Sequence, residues 1–234
     1  MKFSIVIPAF NEEASIGVAI QSLLNQKIGR KDYEIIVVDN NSTDKTSAVA
    51  KAAGADKVLK EKHPGPNYAR QKGYSESNGS IVAFLDADSL VPKDWLLRIE
   101  KDFKNKGVVA VSGPYDYGFK GMQKIADYLY TTFALPNAPP ILELLFRRKA
   151  GVIIGGNFAV TREALVKIGG IPKHSFWGDD AALAMIVSRK AGKVFFDSRL
   201  RIKSSPRRFE KEGFLRLSLL YVQAYFSAYF KIPK

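Results

Sequence analysis

The run Ser80-Ile81-Val82-Ala83-Phe84-Leu85-Asp86-Ala87-Asp88 limits the possible fold more than any other stretch of the chain. Its apolar residues are not interleaved with polar ones, so they predict a strand covered on both faces. Two carboxylates then stand one residue apart at its carboxyl end. Charge at the mouth of an apolar sheet needs compensation. Open α/β sheets bind ligands just outside the carboxyl ends of their strands. Carboxylates in that position suggest a hard divalent cation, which shares its shell with substrate phosphates.

Around this run, strand and helix patterns alternate. Strands are expected at Phe3 to Pro8, Glu34 to Asp39, Asp56 to Lys60, Ser80 to Leu85 and Val108 to Ser112. Helices are expected at Glu12 to Asn25, Asp44 to Gly54, Asn67 to Ser77 and Trp95 to Lys104. Ser42, Thr43 or Asp44 is the candidate N-cap of the second helix. The alternation predicts an α/β fold: a mostly parallel central sheet with helices on both faces and a smaller region beside it. Right-handed crossovers fix much of the topology. The second half is less regular. Gly121 to Phe133 reads as an amphipathic helix broken by Pro136, Pro139 and Pro140, and Gly151 to Ala159 as a strand entering a tight turn. Helices follow at Thr161 to Ile168 and Asp180 to Lys190, a strand at Val194 to Asp197, and an aromatic-rich helix at Phe214 to Phe230.

A length of 234 residues suits one large domain, here 1–210, with a C-terminal helix at 211–234 as appendage. A hydrophobic content of 46% supports a sizeable core. The chain has no cysteine, which excludes disulfides and thiolate metal sites and fits a cytoplasmic setting. Only two histidines are present, which argues against a His-rich zinc site. The chain enters a strand at once, so no signal peptide is expected. A formal net charge of +13 implies anionic company: nucleotides, nucleic acid or an acidic membrane face. No recognition-helix, zinc-finger or aromatic RNA-sheet pattern is found, so nucleic acid is not expected as a partner.

Polar residues collect after the strands. The first ends in Pro8-Ala9-Phe10-Asn11-Glu12-Glu13, the second in Asp39-Asn40-Asn41-Ser42-Thr43-Asp44, and the fourth in Asp86-Ala87-Asp88. In a parallel sheet these ends share one edge, so distant side chains meet in one crevice. Taken singly, each also suits a helix cap or a turn, and for Asn11, Ser42 and Asp44 that reading is as good. Asp39 and Asp86 follow directly on apolar strands and are harder to explain that way.

In combination these segments resemble the nucleotide-sugar transferases of glycosyltransferase family 2. The opening Ile5-Val6-Ile7-Pro8-Ala9-Phe10-Asn11-Glu12-Glu13 and Val37-Val38-Asp39-Asn40-Asn41-Ser42-Thr43-Asp44 look like its first two motifs. Gly65 to Gly73 is similar to its G-x-x-x-A-R-N-x-G segment, and Asp86-Ala87-Asp88 to its D-x-D metal motif. Gly155-Gly156-Asn157-Phe158 and Gly178-Asp179-Asp180-Ala181-Ala182-Leu183 resemble its acceptor-side turn and its E-D-x-x-L segment. Each motif alone is weak; all of them in order are strong.

The resemblance implies a GT-A fold, with donor binding in 1–115 and acceptor binding in 116–210. It implies donor contacts at Pro8, Ala9, Asn11, Glu12, Asp39, Asn41, Arg70, Asp86, Ala87 and Asp88. Asp39 would meet a base N–H, Arg70 the base edge or the diphosphate, and Asp86 the ribose or a metal-bound water. Asp88 would ligate Mg²⁺ or Mn²⁺. Asp180 or Asp179 would be the general base of an inverting displacement. The acceptor, a saccharide or a lipid-linked saccharide, would meet Gly156, Asn157 and Trp177; the last also suits packing against the sheet. Arg207, Arg208 and His174 would reach the diphosphate, although each also suits a plain loop.

Three related activities fit less well. Polyprenyl-phosphate sugar synthases typically carry D-A-D-L-Q, whereas Ser89-Leu90 follows Asp88 here. A nucleotidyltransferase or a dinucleotide dehydrogenase would need glycine-rich signatures near the first strand, which are missing. Asp88 and Asp180 together argue against a non-catalytic sugar-binding module. The segment Phe214 to Phe230 falls short of the roughly 20 apolar residues needed to span a bilayer. It suits packing on the domain or lying in the interface beside basic residues, as on the inner face of the cytoplasmic membrane.

Overall fold

The computed structural model describes residues 1–172 and 178–233. Its main sheet has seven strands in the order β3-β2-β1-β4-β7-β5-β8. They are β1 (Phe3–Ala9), β2 (Tyr33–Asp39), β3 (Lys57–Lys60), β4 (Ile81–Leu85), β5 (Val108–Ser112), β7 (Asn157–Thr161) and β8 (Lys193–Phe196). β1 pairs in parallel with β2 and β4, and β5 with β8. β7 runs antiparallel between β4 and β5. A small second sheet joins β6 (Tyr115–Asp116) to β9 (Ile202–Lys203).

The strands are apolar on both sides, and each side has its own core. Ile5, Ile7, Ile35 and Val37 face one cluster with Trp95 and Leu96, while Val6, Ile36, Val38, Val82 and Phe84 face the other. Helices α1 (Ile16–Leu24), α2 (Thr46–Ala52), α3 (Pro66–Ser75) and α4 (Trp95–Asp102) supply the cover in the first half. The second half holds α5 (Gly121–Leu129), α6 (Leu135–Phe146), α7 (Arg162–Ile168), α8 (Asp179–Lys190), α9 (Arg207–Glu212) and α10 (Phe214–Lys231).

The structure corrects the sequence reading at three points. First, the prolines do not break the helix at Phe133. A π-helical turn, Tyr130–Ala134, joins α5 to α6 in one run. Pro136 sits in the first turn of α6, and Pro139 and Pro140 lie inside that helix without ending it. Thr131 and Asn137 side chains donate to the carbonyls of Asp127 and Phe133 within this distorted stretch. Second, Gly151 to Gly156 is not strand; β7 starts only at Asn157, after a turn in which the Asn157 N–H donates to Ile154 O at 2.9 Å. Third, α1 and α2 begin later than Glu12 and Asp44, because the residues before them bind across to one another.

Candidate active site

Parallel pairing of β1 with β2 and β4 puts Ala9, Asp39 and Asp86 on one edge. The antiparallel β7 brings its amino end to the same edge, with Asn157 opposite Leu85. This antiparallel strand is what places Gly156 against Asp86. A methyl group on Gly156 would lie 2.0 Å from the Asp86 carboxyl carbon and 2.3 Å from the Tyr115 hydroxyl. Only a glycine leaves that room.

Arg70, on α3, is buried in the middle of the crevice. One Nη donates to Asn67 Oδ1 at 2.9 Å, and the same nitrogen lies 3.9 Å from Asp179. The other lies 3.5 Å from Asp86 Oδ1. One guanidinium therefore stands between the D-x-D carboxylate and the Asp179-Asp180 pair. Asp86 also accepts the Tyr115 hydroxyl at 2.7 Å. Burial, then the charge of Asp86, pushes the Tyr115 phenol well above its ordinary value, so it stays a donor.

Asp88 and Glu12 converge on a single nitrogen. Arg207 Nη2 donates to Asp88 Oδ2 at 2.9 Å and to Glu12 Oε1 at 2.8 Å. The arginine is held there because Leu90 and Lys203 pair their backbones, tying the β9 segment to the loop after Asp88. Burial raises the Asp88 carboxyl and its hydrogen bond to Arg207 opposes this; the net direction is up. Two hard oxygen ligands aimed at one cationic point fit a divalent ion that takes its remaining ligands from phosphates and water.

Asp180 opens α8. Burial, then the neighbouring charge of Asp179, pushes its carboxyl up to about 6; backbone hydrogen bonds, including one from Ala181 N–H at 2.8 Å, hold it down only in part. Burial also raises Asp179, and the Arg70 charge opposes it. A carboxylate with that value is half ionised near pH 6 and mostly ionised at neutrality, where it is a competent proton acceptor. Tyr130 and Tyr221, on the π turn and α10, feel the Asp180 charge, which adds to the burial that raises their own phenols. Tyr115, Tyr130 and Tyr221 are site residues that sequence reading missed. Tyr115 had a usable signal, since it stands three residues past the carboxyl end of β5.

Other expected residues are present with narrower duties. Burial raises Asp39, but hydrogen bonds from Ser42 and Ser47 and the charge of Lys60 outweigh it and keep the carboxyl low. Asn11 adopts a left-handed backbone with φ 53°, and its side chain accepts the Thr43 N–H at 2.8 Å. Asn41, with φ 68°, donates to Lys62 O. Both asparagines thus build the loops of the crevice wall. Pro8, Ala9 and Ala87 line the strand ends, with Ala9 and Ala87 buried.

Asn157 departs most from expectation. It is fully buried, because its amide accepts from Trp95 Nε1 at 3.0 Å and donates to Leu200 O at 2.7 Å and Pro114 O at 3.3 Å. It ties three segments together behind the site and does not face an acceptor. Arg207 binds carboxylates, as described, and Arg208 lies 3.4 Å from the Tyr221 hydroxyl. His174 and Trp177 lie outside the described residues.

Known proteins resemble this chain in sequence and in fold. Residues 4–169 match the family described as glycosyl transferase family 2. Glycosyltransferase AglE of Haloferax volcanii is 26% identical over 76% of the chain and 58% of its own length. Glucosyl-3-phosphoglycerate synthase of Mycolicibacterium paratuberculosis is 31% identical over 70% of the chain and 54% of its own length. The chain therefore spans little more than half of these curated relatives. Among solved structures, the mannosyltransferase PcManGT of Pyrobaculum calidifontis, in complex with GDP-Man and Mn²⁺, superposes with a TM-score of 0.74 at 22% identity, over 99% of the chain and 66% of its own. The glucosyl-3-phosphoglycerate synthase of Mycobacterium tuberculosis, with Mn²⁺, UDP-Glc and phosphoglyceric acid, gives 0.65 at 23% identity, over 100% and 81%. The likeness to both structures is one of fold.

Proposed function

The chain belongs to glycosyl transferase family 2, and on that premise we propose that it is an inverting, metal-dependent transferase. It moves a sugar from a nucleoside-diphosphate sugar to a hydroxyl of a saccharide acceptor. The observation that carries this reading is Arg70 standing between Asp86 and Asp179, which joins the D-x-D crevice to the acidic pair in one site.

Residues 1–115 form the donor half. Pro8, Ala9 and Asp39 hold the base and ribose side, and Arg70 and Asp86 position the sugar diphosphate. Mg²⁺ or Mn²⁺ fits at Asp88 and would stabilise charge on the leaving nucleoside diphosphate. Arg207, displaced from the two carboxylates, is within reach of the phosphate oxygens and pairs with them, with Arg208 beside it. Residues 116–210 supply the acceptor half. Asp180 takes the proton from the acceptor hydroxyl as its oxygen attacks the anomeric carbon. The bond to the diphosphate breaks on the opposite face, and the configuration inverts. The acceptor we assign is an envelope glycan or a lipid-linked saccharide, used at the anionic inner face of the cytoplasmic membrane.

Asp180→Asn tests the reading. Transfer should fall on the order of 10²–10⁴-fold, while the thermal shift produced by a nucleotide sugar with Mn²⁺ persists. The wild-type rate should drop as pH falls through about 6, because the base must be ionised. Turnover by Asp180→Asn at the wild-type rate removes Asp180 from the mechanism.

A further inference from the structure

The run α5 to α6 is exposed along nearly all its length, yet it carries large apolar side chains. Leu144 is 80% exposed, Met122 78% and Leu145 66%. Across from it, α10 leaves Leu215 76% and Leu219 69% exposed. Two shallow apolar clefts lie between the helices. One runs from Met122 to Leu215, the other from Leu129 and Phe133 to Phe226. Folded monomers rarely expose contiguous apolar patches beyond roughly a few hundred Å² without using them.

Charge indicates the occupant. Lys120, Lys124, Arg147, Lys149, Arg216 and Lys231 stand exposed on these helices or at their ends. The acids nearby are few: Asp127 is committed to Arg201 at 3.1 Å, which leaves Asp116 just before α5, Glu143 on α6 and Glu210 and Glu212 on α9. Apolar side chains in the middle with basic residues around them match an anionic bilayer, whose acyl boundary takes the first and whose phosphates take the second. No described helix is long and apolar enough to cross a membrane, so the contact is with one face.

We infer that the surface formed by α5–α6 and α10 docks flat on an anionic lipid bilayer and turns the acceptor side of the crevice toward the headgroups. The orientation follows from α10 and the π turn. Leu215 and Leu219 point outward on α10, while Leu217 is buried and Tyr221 binds Arg208 beside the crevice. Tyr130 lines the second cleft and also lies within the field of Asp180. Docking thus sets the entrance to the proposed base at the membrane surface. The inference rests on the transferase reading only for what is delivered there; the docking itself stands on the surface.

The test is co-sedimentation of the full chain with vesicles of phosphatidylcholine containing about one-third phosphatidylglycerol. The wild type should bind these at least about tenfold more tightly than pure phosphatidylcholine. Leu144→Glu with Leu145→Glu, and Leu215→Glu with Leu219→Glu, should each lower binding about tenfold or more, while Val166→Glu on α7 leaves it intact. Circular dichroism melts should match the wild type in all three. Metal-dependent hydrolysis of nucleotide sugars without lipid is measured in parallel. Retained hydrolysis with no vesicle binding overturns the docking alone; vesicle binding with no hydrolysis overturns the transferase reading alone. A dimer dissolved by the leucine variants, without lipid binding, would assign the surface to a second copy and also overturn the inference.

Discussion

At the strand ends the polar groups are mostly paired within the chain, whereas the helices of the second half leave large apolar side chains exposed. Asn11, Glu12 and Glu13 bind across to Ser42, Thr43, Asp44, Lys45 and Thr46. Asp86 holds Tyr115, and Arg207 neutralises Asp88 and Glu12 together. On α5, α6 and α10 the reverse holds: Met122, Leu144 and Leu215 face outward. The contrast separates two ways of preparing for a ligand. A charged site must be organised in advance, because reorienting dipoles during the reaction is costly. An apolar surface needs no such preparation, since hydrophobic contact is non-directional.

The largest effect that would break this contrast belongs to Gly156. Gly156→Ala has no room beside Asp86 and Tyr115, so transfer should fall on the order of 10²-fold through displacement of the crevice. A variant with normal kinetics would mean the strand ends are as tolerant as the outer helices.

Asp102 is the exception within the packed half. Its Oδ2 is buried without a partner, close to the charge of Asp197. Burial, then Asp197, raises its carboxyl to about 6. An acid whose value is raised on folding binds its proton more tightly in the native state. The stability it contributes is present below the unfolded value and is lost as pH rises through about 6. Asp102→Asn should therefore match the wild type near pH 4 and exceed it near pH 8 by ~2 kcal/mol, seen as a higher Tm. Equal melting curves at both pH values would show that the buried carboxyl is already compensated.

Arg207 links the two regions, since it reaches the crevice from the segment just before α10. Arg207→Ala should raise the donor KM about tenfold, the value of one lost charged hydrogen bond. It should also lower the Mn²⁺ concentration needed for half-maximal rate, because a competing cation is gone. A higher Mn²⁺ requirement would show that the arginine supports the ion and does not compete with it.

The first half of the fold was largely legible because its signals are local. Uninterrupted apolar runs mark strands, and a polar residue directly after such a run marks a ligand edge; Asp39, Asp86 and Asp88 lie where that pattern puts them. Helix starts were misjudged at Glu12 and Asp44 because those residues bond to a loop about thirty positions away, which no local pattern encodes. The proline-bearing helix was misjudged because a π turn, which no local pattern encodes, carries α5 on into α6.

The amino-acid order alone settled the alternation of strand and helix, the both-faces burial of the strands and the acids at their ends, since each depends on neighbours along the chain. Only the folded molecule decided that β7 enters antiparallel and thereby places Gly156 beside Asp86 and Asn157 in the interior. It alone set Arg70 between two acids and Arg207 between two others. Those pairings are matters of distance across the sheet edge, and charge and packing act through space.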